Sequence, residues 1–311
     1  MRVSFRHADF EALANLWNSF YPERYVMTPK LFEANTVSCK TFDWGASAIE
    51  LDESLRPIGF VSVKRSAFGF YPGPIRDLAH LSSIAFADPQ IGVDLMQYAK
   101  QVLNQRGIAQ LRFGQDLNHF FPGCPLEFGQ LKDFLLIEGF DEGEPISDVL
   151  LDLEDYTFSP KAVANVRQCQ ADDVAELDQF FQEEFPGRWR HDCLNHVESQ
   201  GDPSAIDVLC VDGEIRGFSL TQDASTIHPI SGAVWSSALG PDWCALGPIG
   251  ISKGVRGQGL GDALLAGSLS RLKSSGKRNC LIDWTNLTDW YGKHGFEPVT
   301  TYLPFTLDLR L

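Results

Sequence analysis

Apolar residues recur at helical spacing over 10–20 and again over 174–185, and each stretch ends in a short aromatic segment that contains proline. This pattern predicts an amphipathic helix in both places. Two extended runs separated by a polar turn follow each helix, over 47–64 in the first half and over 206–220 in the second. The hydrophobic pattern therefore predicts the same order of elements twice.

A second pair of helices supports an internal repeat. The segment 91–107 aligns without gaps with 260–276, and each ends in the glycine that commonly closes a helix. Each half then predicts strand, helices, hairpin, strand, helix, strand, helix and strands. That order is typical of an α/β (α+β) domain, a mixed central sheet with helices on both faces. We expect two tandem domains, at 1–155 and 161–311.

The composition fits two packed domains and narrows the possible partners. With 311 residues and 44% hydrophobic content, the chain is long and apolar enough for two cores. Its net charge of −15 opposes phosphate backbones, so we expect no nucleic-acid partner. The sequence has no apolar run of about 18 residues and no signal-peptide pattern, so we expect no membrane partner and a cytoplasmic location. The seven scattered cysteines are expected to be reduced.

The most informative segment, 246–265, is an apolar strand that enters a glycine-rich turn and then a helix. Glycines let a backbone approach a ligand closely, and the amide groups at a helix start attract an anion. Six basic residues and one acidic residue lie between 253 and 278, so this segment is positively charged although the chain as a whole is negative. We therefore expect a phosphorylated ligand at this turn.

Two common phosphate-binding motifs do not fit the turn. A mononucleotide P-loop needs Lys and Ser or Thr after its last glycine, but Gly261 is followed by Asp262 and alanine. The dinucleotide fingerprint needs G-x-G-x-x-G after the first strand of a unit, whereas Gly257, Gly259 and Gly261 are evenly spaced and follow a late strand.

Arg256, Gly259 and Gly261 instead form an R-x-x-G-x-G pattern that resembles the signature of the GNAT acyltransferase superfamily. Ile251 stands five positions earlier, where that family has a branched apolar residue. The resemblance extends over most of 161–311, because a strand and a short helix with a tyrosine and a closing Gly-Phe follow in the family's order. The tandem layout is similar to that of mycothiol synthase-type acetyltransferases.

The resemblance implies an acetyl-CoA-dependent N-acetyltransferase that acts on a small-molecule amine, with no metal. It implies that Tyr291 is the general acid that protonates the departing thiolate; packing alone is the alternative role for such a tyrosine. It further implies that the main chain of the strand and turn holds acetyl-CoA, with Asn286 contacting the pantetheine. The implied coenzyme-binding residues are Ile249, Gly250, Ile251, Arg256, Gly257, Gln258, Gly259, Leu260, Gly261 and Asn286.

The acceptor side is less well defined by the sequence. Asp283 and Asp223 are both candidates for the general base, and each also suits a capping or solvated role. Trp189 is a candidate for contact with the acceptor or for packing. Asn286 lies five positions before Tyr291, where seven is more usual in the family. His191 and His196 are spaced five apart rather than four, which argues against a metal site.

The first half lacks counterparts of the glycine-rich turn and of Tyr291. The ungapped alignment places 87–90, which include an aspartate and a proline, opposite 256–259, and it places Leu135 opposite Tyr291. We therefore expect this half neither to bind coenzyme A nor to catalyse. Its aromatic loop, 118–125, either fills a core or forms one wall of the acceptor pocket.

Two other functions remain open at this level. A non-catalytic acyl-CoA binding or sensing protein would use the same turn without turnover, and an interaction scaffold would use neither. The sequence does not define the acceptor, the acyl chain length or the oligomeric state.

Overall fold

The computed structural model describes residues 1–66, 77–227, 229 and 231–310. The helices of this part of the chain are α1 (Phe10–Phe20), α2 (Pro29–Asn35), α3 (Pro89–Gln105), α4 (Gly129–Ile137), α5 (Val174–Glu184), α6 (Arg188–Gln200), α7 (Leu260–Ser274) and α8 (Thr288–Gly292). Short 3₁₀ segments lie at Phe5–His7, Glu23–Tyr25, Ala171–Asp173, Ser231–Ala238 and Lys253–Val255.

The strands of the described residues divide between two mixed sheets. They are β1 (Arg2–Val3), β2 (Ala48–Leu51), β3 (Pro57–Arg65), β4 (Leu78–Phe86), β5 (Gln110–Phe113), β6 (Cys124–Pro125), β7 (Asp141–Glu142), β8 (Ile146–Asp152), β9 (Asn165–Gln168), β10 (Ile206–Val211), β11 (Glu214–Asp223), β12 (Cys244–Ile251), β13 (Asn279–Thr285), β14 (Glu297–Leu303) and β15 (Phe305–Asp308). The repeated order of elements predicted from the sequence is confirmed.

The described residues form two compact units. The first comprises 1–66, 77–146 and 300–310, and the second comprises 147–227, 229 and 231–299. This division differs from the expected domains, 1–155 and 161–311, by one strand at the end of each half. β8 pairs with β13 in the second unit, and β15 pairs with β5 and β7 in the first. An alternating pattern specifies a half-buried strand but not its partner, so the sequence could not show this exchange.

The first unit has the strand order β1-β2-β3-β4-β5-β15-β7, in which β4 and β5 are parallel. Helices α1 and α3 both pack on β3 and β4. The core is aromatic: the ring of Trp17 lies 4.8 Å from that of Phe120 and 5.9 Å from that of Phe121. Because both phenylalanines of the aromatic loop are buried, the core interpretation of that loop is confirmed.

The second unit has the strand order β8-β13-β12-β11-β10-β9, and only β12 and β13 are parallel within it. Helix α7 packs on β9 to β12, and α5 packs on β11. Leu264, Leu265 and Leu269 bury one face of α7, which fixes the position at which its N-terminus meets the end of β12. No helix among the described residues has the length and apolar content needed to cross a membrane.

Candidate active site

The central strands of the second unit separate from each other. β12 and β13 pair in parallel only at Cys244–Cys280 and Ala245–Leu281, after which the strands diverge. A register shift between β11 and β12 places Gly247 and Pro248 in a bulge beside this gap. Proline has no N–H for a ladder, and in the bulge none is required. This explains how a central strand accommodates Pro248, which sequence rules alone disfavour.

A cavity of about 560 Å³ opens between the end of β12 and the start of α7, and we call it the glycine-loop cavity. The structure brings together most of the predicted coenzyme-binding residues here. It is lined by Ile249, Gly250, Ile251, Arg256, Gly257, Gly259, Gly261, Asp262, Leu287, Trp290 and Tyr291. Leu260, whose side chain is buried in the core, and Gln258, which is exposed, do not line this cavity.

The N-terminus of α7 presents unsatisfied amide groups to this cavity. Gly257 and Gly259 have φ values of +77° and +76°, a conformation that favours glycine, and no side chain of the described residues caps the helix. The Arg256 guanidinium contacts the carbonyl oxygen of Ile251 at 3.4 Å. A Cβ built at Gly261 lies 3.7 Å from Trp290 and would project into the cavity. These features fit a pyrophosphate.

The corresponding helix start in the first unit is closed. Asp88 caps α3 by accepting a hydrogen bond from the Gln90 amide at 2.9 Å, and Pro89 at the first helical position has no N–H to offer. A Cβ built at Gly92, the counterpart of Gly261, would lie 2.6 Å from Phe86. Aromatic side chains therefore fill the space that is open in the second unit.

A buried ion pair bridges the strand ends of the first unit. Lys64 Nζ lies 2.6 Å from Asp116 Oδ2, and both side chains are fully buried. Ser82 on β4 donates to the same carboxylate at 2.8 Å. Burial alone would raise the pKa of Asp116, but the charge of Lys64, with His80 and His119, holds it below its usual value. Sequence reasoning missed this pair, for which the only signal was a lysine in an apolar strand.

Tyr291 occupies the junction of two cavities. It lies on α8, is 4% exposed, and lines both the glycine-loop cavity and a second cavity of about 390 Å³. Burial, with a smaller contribution from the carboxylate of Asp283, raises the pKa of its phenol far above 10. The phenol is therefore protonated at neutral pH, and the raised pKa makes it a weaker acid than a solvent-exposed tyrosine.

The second cavity, which we call the tryptophan cavity, contains three of the predicted residues. Trp189, Asp283 and Asn286 line it together with Trp284, and it shares Ile249, Leu287 and Tyr291 with the glycine-loop cavity. The two cavities are thus adjacent, and these three shared residues lie between them.

Two charged residues of α6 add to the tryptophan cavity. Arg188 donates to Asp192 at 3.2 Å, and its guanidinium lies 5.0 Å from the ring of Trp284. Trp189, which is 41% exposed, packs against Phe185 at 5.1 Å. Sequence reasoning missed Asp192, which has a helical i,i+4 spacing from Arg188 as its only signal.

The structure does not bring Asp223 together with Tyr291. Asp223 is paired with Cys244, at the opposite end of β12 from Ile251. Its carboxylate contacts Lys277 at 2.7 Å and accepts hydrogen bonds from Ser225. It lines a separate polar cavity of about 480 Å³. Across the described ranges, no group of three or more His, Cys, Asp or Glu side chains could hold a metal ion.

No protein-family model matches the chain, and no curated protein matches it in sequence. Solved structures are similar to it in fold. A GCN5-related glucosamine N-acetyltransferase region of a fungal multi-domain GH3 β-N-acetylglucosaminidase has a TM-score of 0.86 at 18% identity, over 99% of this chain and 38% of that one. A GCN5-related N-acetyltransferase from Sphaerobacter thermophilus has a TM-score of 0.70 at 14% identity, over 99% and 95%.

A tandem GNAT protein from the clavulanic acid biosynthesis pathway has a TM-score of 0.63 at 13% identity, over 99% of this chain and 98% of that one. These likenesses show that the chain has the tandem GNAT fold, as the sequence resemblance predicted. The chain spans less than half the length of the fungal protein.

Proposed function

We propose that the second unit is an acetyl-CoA-dependent N-acetyltransferase for a small amine. The observation that carries the proposal is the position of Tyr291, whose protonated phenol lies where a cavity suited to a coenzyme meets a cavity suited to an acceptor. The first unit, with its helix start closed by Asp88, is proposed to be non-catalytic. The seven free cysteines fit the reducing cytoplasm.

The main chain of the second unit would hold the coenzyme. The amides at the start of α7 would bind the pyrophosphate, with the helix dipole favouring its charge. Ile249, Gly250 and Ile251 pair with β11 on one side. Their other side faces the gap, because pairing with β13 ends at Ala245. An extended pantetheine arm can lie along this edge as an added strand would.

The coenzyme supplies an acetyl thioester, and transfer forms a C–N bond while it breaks a C–S bond. The amine must give up one proton and the leaving sulfur must take one. Tyr291 holds a proton at its phenol oxygen for the sulfur. Asp283 and Asp223 were both candidates to accept the proton of the amine. We favour Asp283, because it lines the tryptophan cavity whereas Asp223 lines another.

Tyr291→Phe should lower kcat about 100-fold, the size expected for loss of a general acid. The dissociation constant of acetyl-CoA should change less than about threefold, since the ring is retained. Steady-state kinetics and calorimetry measure the two quantities. Tyr98→Phe, which removes a hydroxyl bonded to Gly45 in the first unit, is the matched control. An unchanged kcat in Tyr291→Phe would contradict the assigned role.

The acceptor should be an amine that carries positive charge or hydroxyl groups. The carboxylate of Asp283 and the indole ring of Trp189 line the cavity that would receive it, whereas Asp192 and the ring of Trp284 contact the Arg188 guanidinium. Thiol release from acetyl-CoA with glucosamine, spermidine and kanamycin tests this class. Coenzyme binding without turnover on any amine would favour an acyl-CoA sensing protein instead.

One coenzyme should bind per chain. The uncapped start of α7 in the second unit borders an open cavity, whereas Asp88 and Pro89 close the start of α3, its counterpart in the first unit. Titration of the full chain with CoA in a calorimeter measures the stoichiometry. Two equivalent sites would contradict the proposed role of the first unit.

A further inference from the structure

A polar cluster lies behind the ring that forms one wall of the glycine-loop cavity. The indole Nε1–H of Trp290 donates to Asp262 Oδ1 at 2.8 Å. His294 Nε2 lies 3.1 Å from the same oxygen. Asp262 stands in the first turn of α7, and both Asp262 and Trp290 line the cavity. An acidic side chain is thus tied to two nitrogen donors at the place where an anion is expected.

His294 is itself held from the interior of the unit. Its side chain is fully buried, and the ring of Phe158 packs on it at a centroid distance of 4.0 Å. The hydroxyl of Tyr156 lies 3.5 Å from His294 Nδ1. A proton on Nε2 lets His294 donate to Asp262 while Nδ1 accepts from Tyr156. The contacts therefore run from buried side chains to the edge of the cavity.

The same cluster contacts Tyr291 through the ring of Trp290. The rings of Trp290 and Tyr291 meet edge to face at 4.7 Å. Helix α8 has only five residues, too few to hold its side chains through its own backbone stability. Since Trp290 borders an open cavity, its indole needs a partner that prevents it from turning into that space. Asp262 provides that partner.

We propose that Asp262 and His294 are positioning residues that fix the Trp290 indole and, through it, the phenol of Tyr291. This inference rests on the proposed function, because it concerns the donor of the transfer step. If Asp262 acts in this way, kcat depends on the oxygen that accepts the hydrogen bond and not on the negative charge of the carboxylate.

The test compares Asp262→Ala, Asp262→Asn, Trp290→Phe and the double variant Asp262→Ala/Trp290→Phe in the full chain. Acetyl-CoA and the panel amine with the highest rate serve as substrates, and calorimetry gives the dissociation constant of acetyl-CoA. Trp44→Phe, an exposed indole of the first unit, is the matched control. Melting temperatures show that each variant is folded.

We expect Asp262→Ala and Trp290→Phe each to lower kcat about tenfold or more, since small misplacements of a reacting group are costly. Acetyl-CoA should bind equally well or better in Asp262→Ala, because an anion beside the pyrophosphate is removed. Asp262→Asn keeps the acceptor oxygen and should retain most of kcat. The double variant should lose no more kcat than either single variant, because each single substitution already breaks the same hydrogen bond between Asp262 and Trp290.

Additive losses, or Asp262→Asn as slow as Asp262→Ala, would overturn the inference. If Asp262→Ala does not fold, the kcat values of the other two single variants test the inference. It then requires a large loss in Trp290→Phe and a small loss in Asp262→Asn. A wild-type chain that transfers no acetyl group would refute the proposed function and this inference with it. An active wild type with additive losses would refute the inference alone.

Discussion

Replacing Gly261 with valine should abolish coenzyme binding while the chain remains folded. The nearest protein atoms to a Cβ at Gly261 are Trp290 at 3.7 Å and Ile251 at 3.9 Å, which are ordinary contacts. The Cβ is therefore accommodated, and the branched side chain that extends from it would occupy the glycine-loop cavity. There it would block the approach of a pyrophosphate to the amides of α7. In a thermal melt, CoA at about 100 times its wild-type dissociation constant should raise the melting temperature of the wild type but not that of Gly261→Val.

Two other glycines provide matched controls. Gly129 starts α4 in open space, so Gly129→Val should preserve both stability and coenzyme binding. Gly92 faces Phe86 and Phe134, so Gly92→Val should destabilise the first unit by about 1–3 kcal/mol through overpacking and leave coenzyme binding intact. A CoA-dependent shift that survives in Gly261→Val would refute the position assigned to the coenzyme.

Removing one member of the Lys64–Asp116 pair should have the largest effect on stability. Both side chains are fully buried, and Lys64 also donates to the carbonyl oxygens of Leu117 and Asn118. Lys64→Met leaves a buried carboxylate without its cation, which costs about 3–5 kcal/mol in other proteins. The loss is measured as the change in the free energy of unfolding, obtained from urea denaturation at pH 7.

The double variant Lys64→Met/Asp116→Leu separates charge from packing. Because it buries no unpaired charge at these positions, it should recover much of the stability lost in Lys64→Met. Arg56→Met, which breaks an exposed pair with Asp52, should leave the unfolding midpoint nearly unchanged. A double variant as unstable as Lys64→Met would mean that shape, not charge, dominates at this site.

The pair should also give the stability of the chain an acid dependence. The folded pKa of Asp116 lies below its unfolded value of about 3.9, so its contribution is present above that pH and is lost as pH falls through the folded pKa. The difference in free energy of unfolding between wild type and Asp116→Asn should therefore shrink below about pH 4. A constant difference down to pH 3 would contradict this assignment.

The sequence predicted the elements of the site because each depends on short-range properties. The glycines at 257 and 259 were recognisable because their backbone conformation disfavours other residues, and α7 began where the turn ended. The short helix with Tyr291 was placed by the resemblance to the order of elements in GNAT domains. The repeat predicted the tandem fold. These signals lie within segments of a few tens of residues, where chain geometry limits the alternatives.

Contacts between distant segments could not be predicted in the same way. Asp283 and Asp223 were equivalent in the sequence, and only the pairing of β11 and β13 with β12 placed Asp283 beside Tyr291 and Asp223 at the far end. The Lys64–Asp116 pair and the Asp262–Trp290 contact also join residues far apart in the chain. Each depends on which strands and helices become neighbours.

The sequence by itself determined the repeat and the glycine turn, because backbone preferences and hydrophobic periodicity act locally, and the family resemblance added the helix of Tyr291. The tertiary structure decided which sheet received β8 and β15, and it decided which carboxylates face the cavities. Those outcomes follow from the burial and hydrogen bonding of whole sheets. A strand with alternating polar and apolar residues can bury its apolar face and complete its hydrogen bonds beside more than one neighbouring strand.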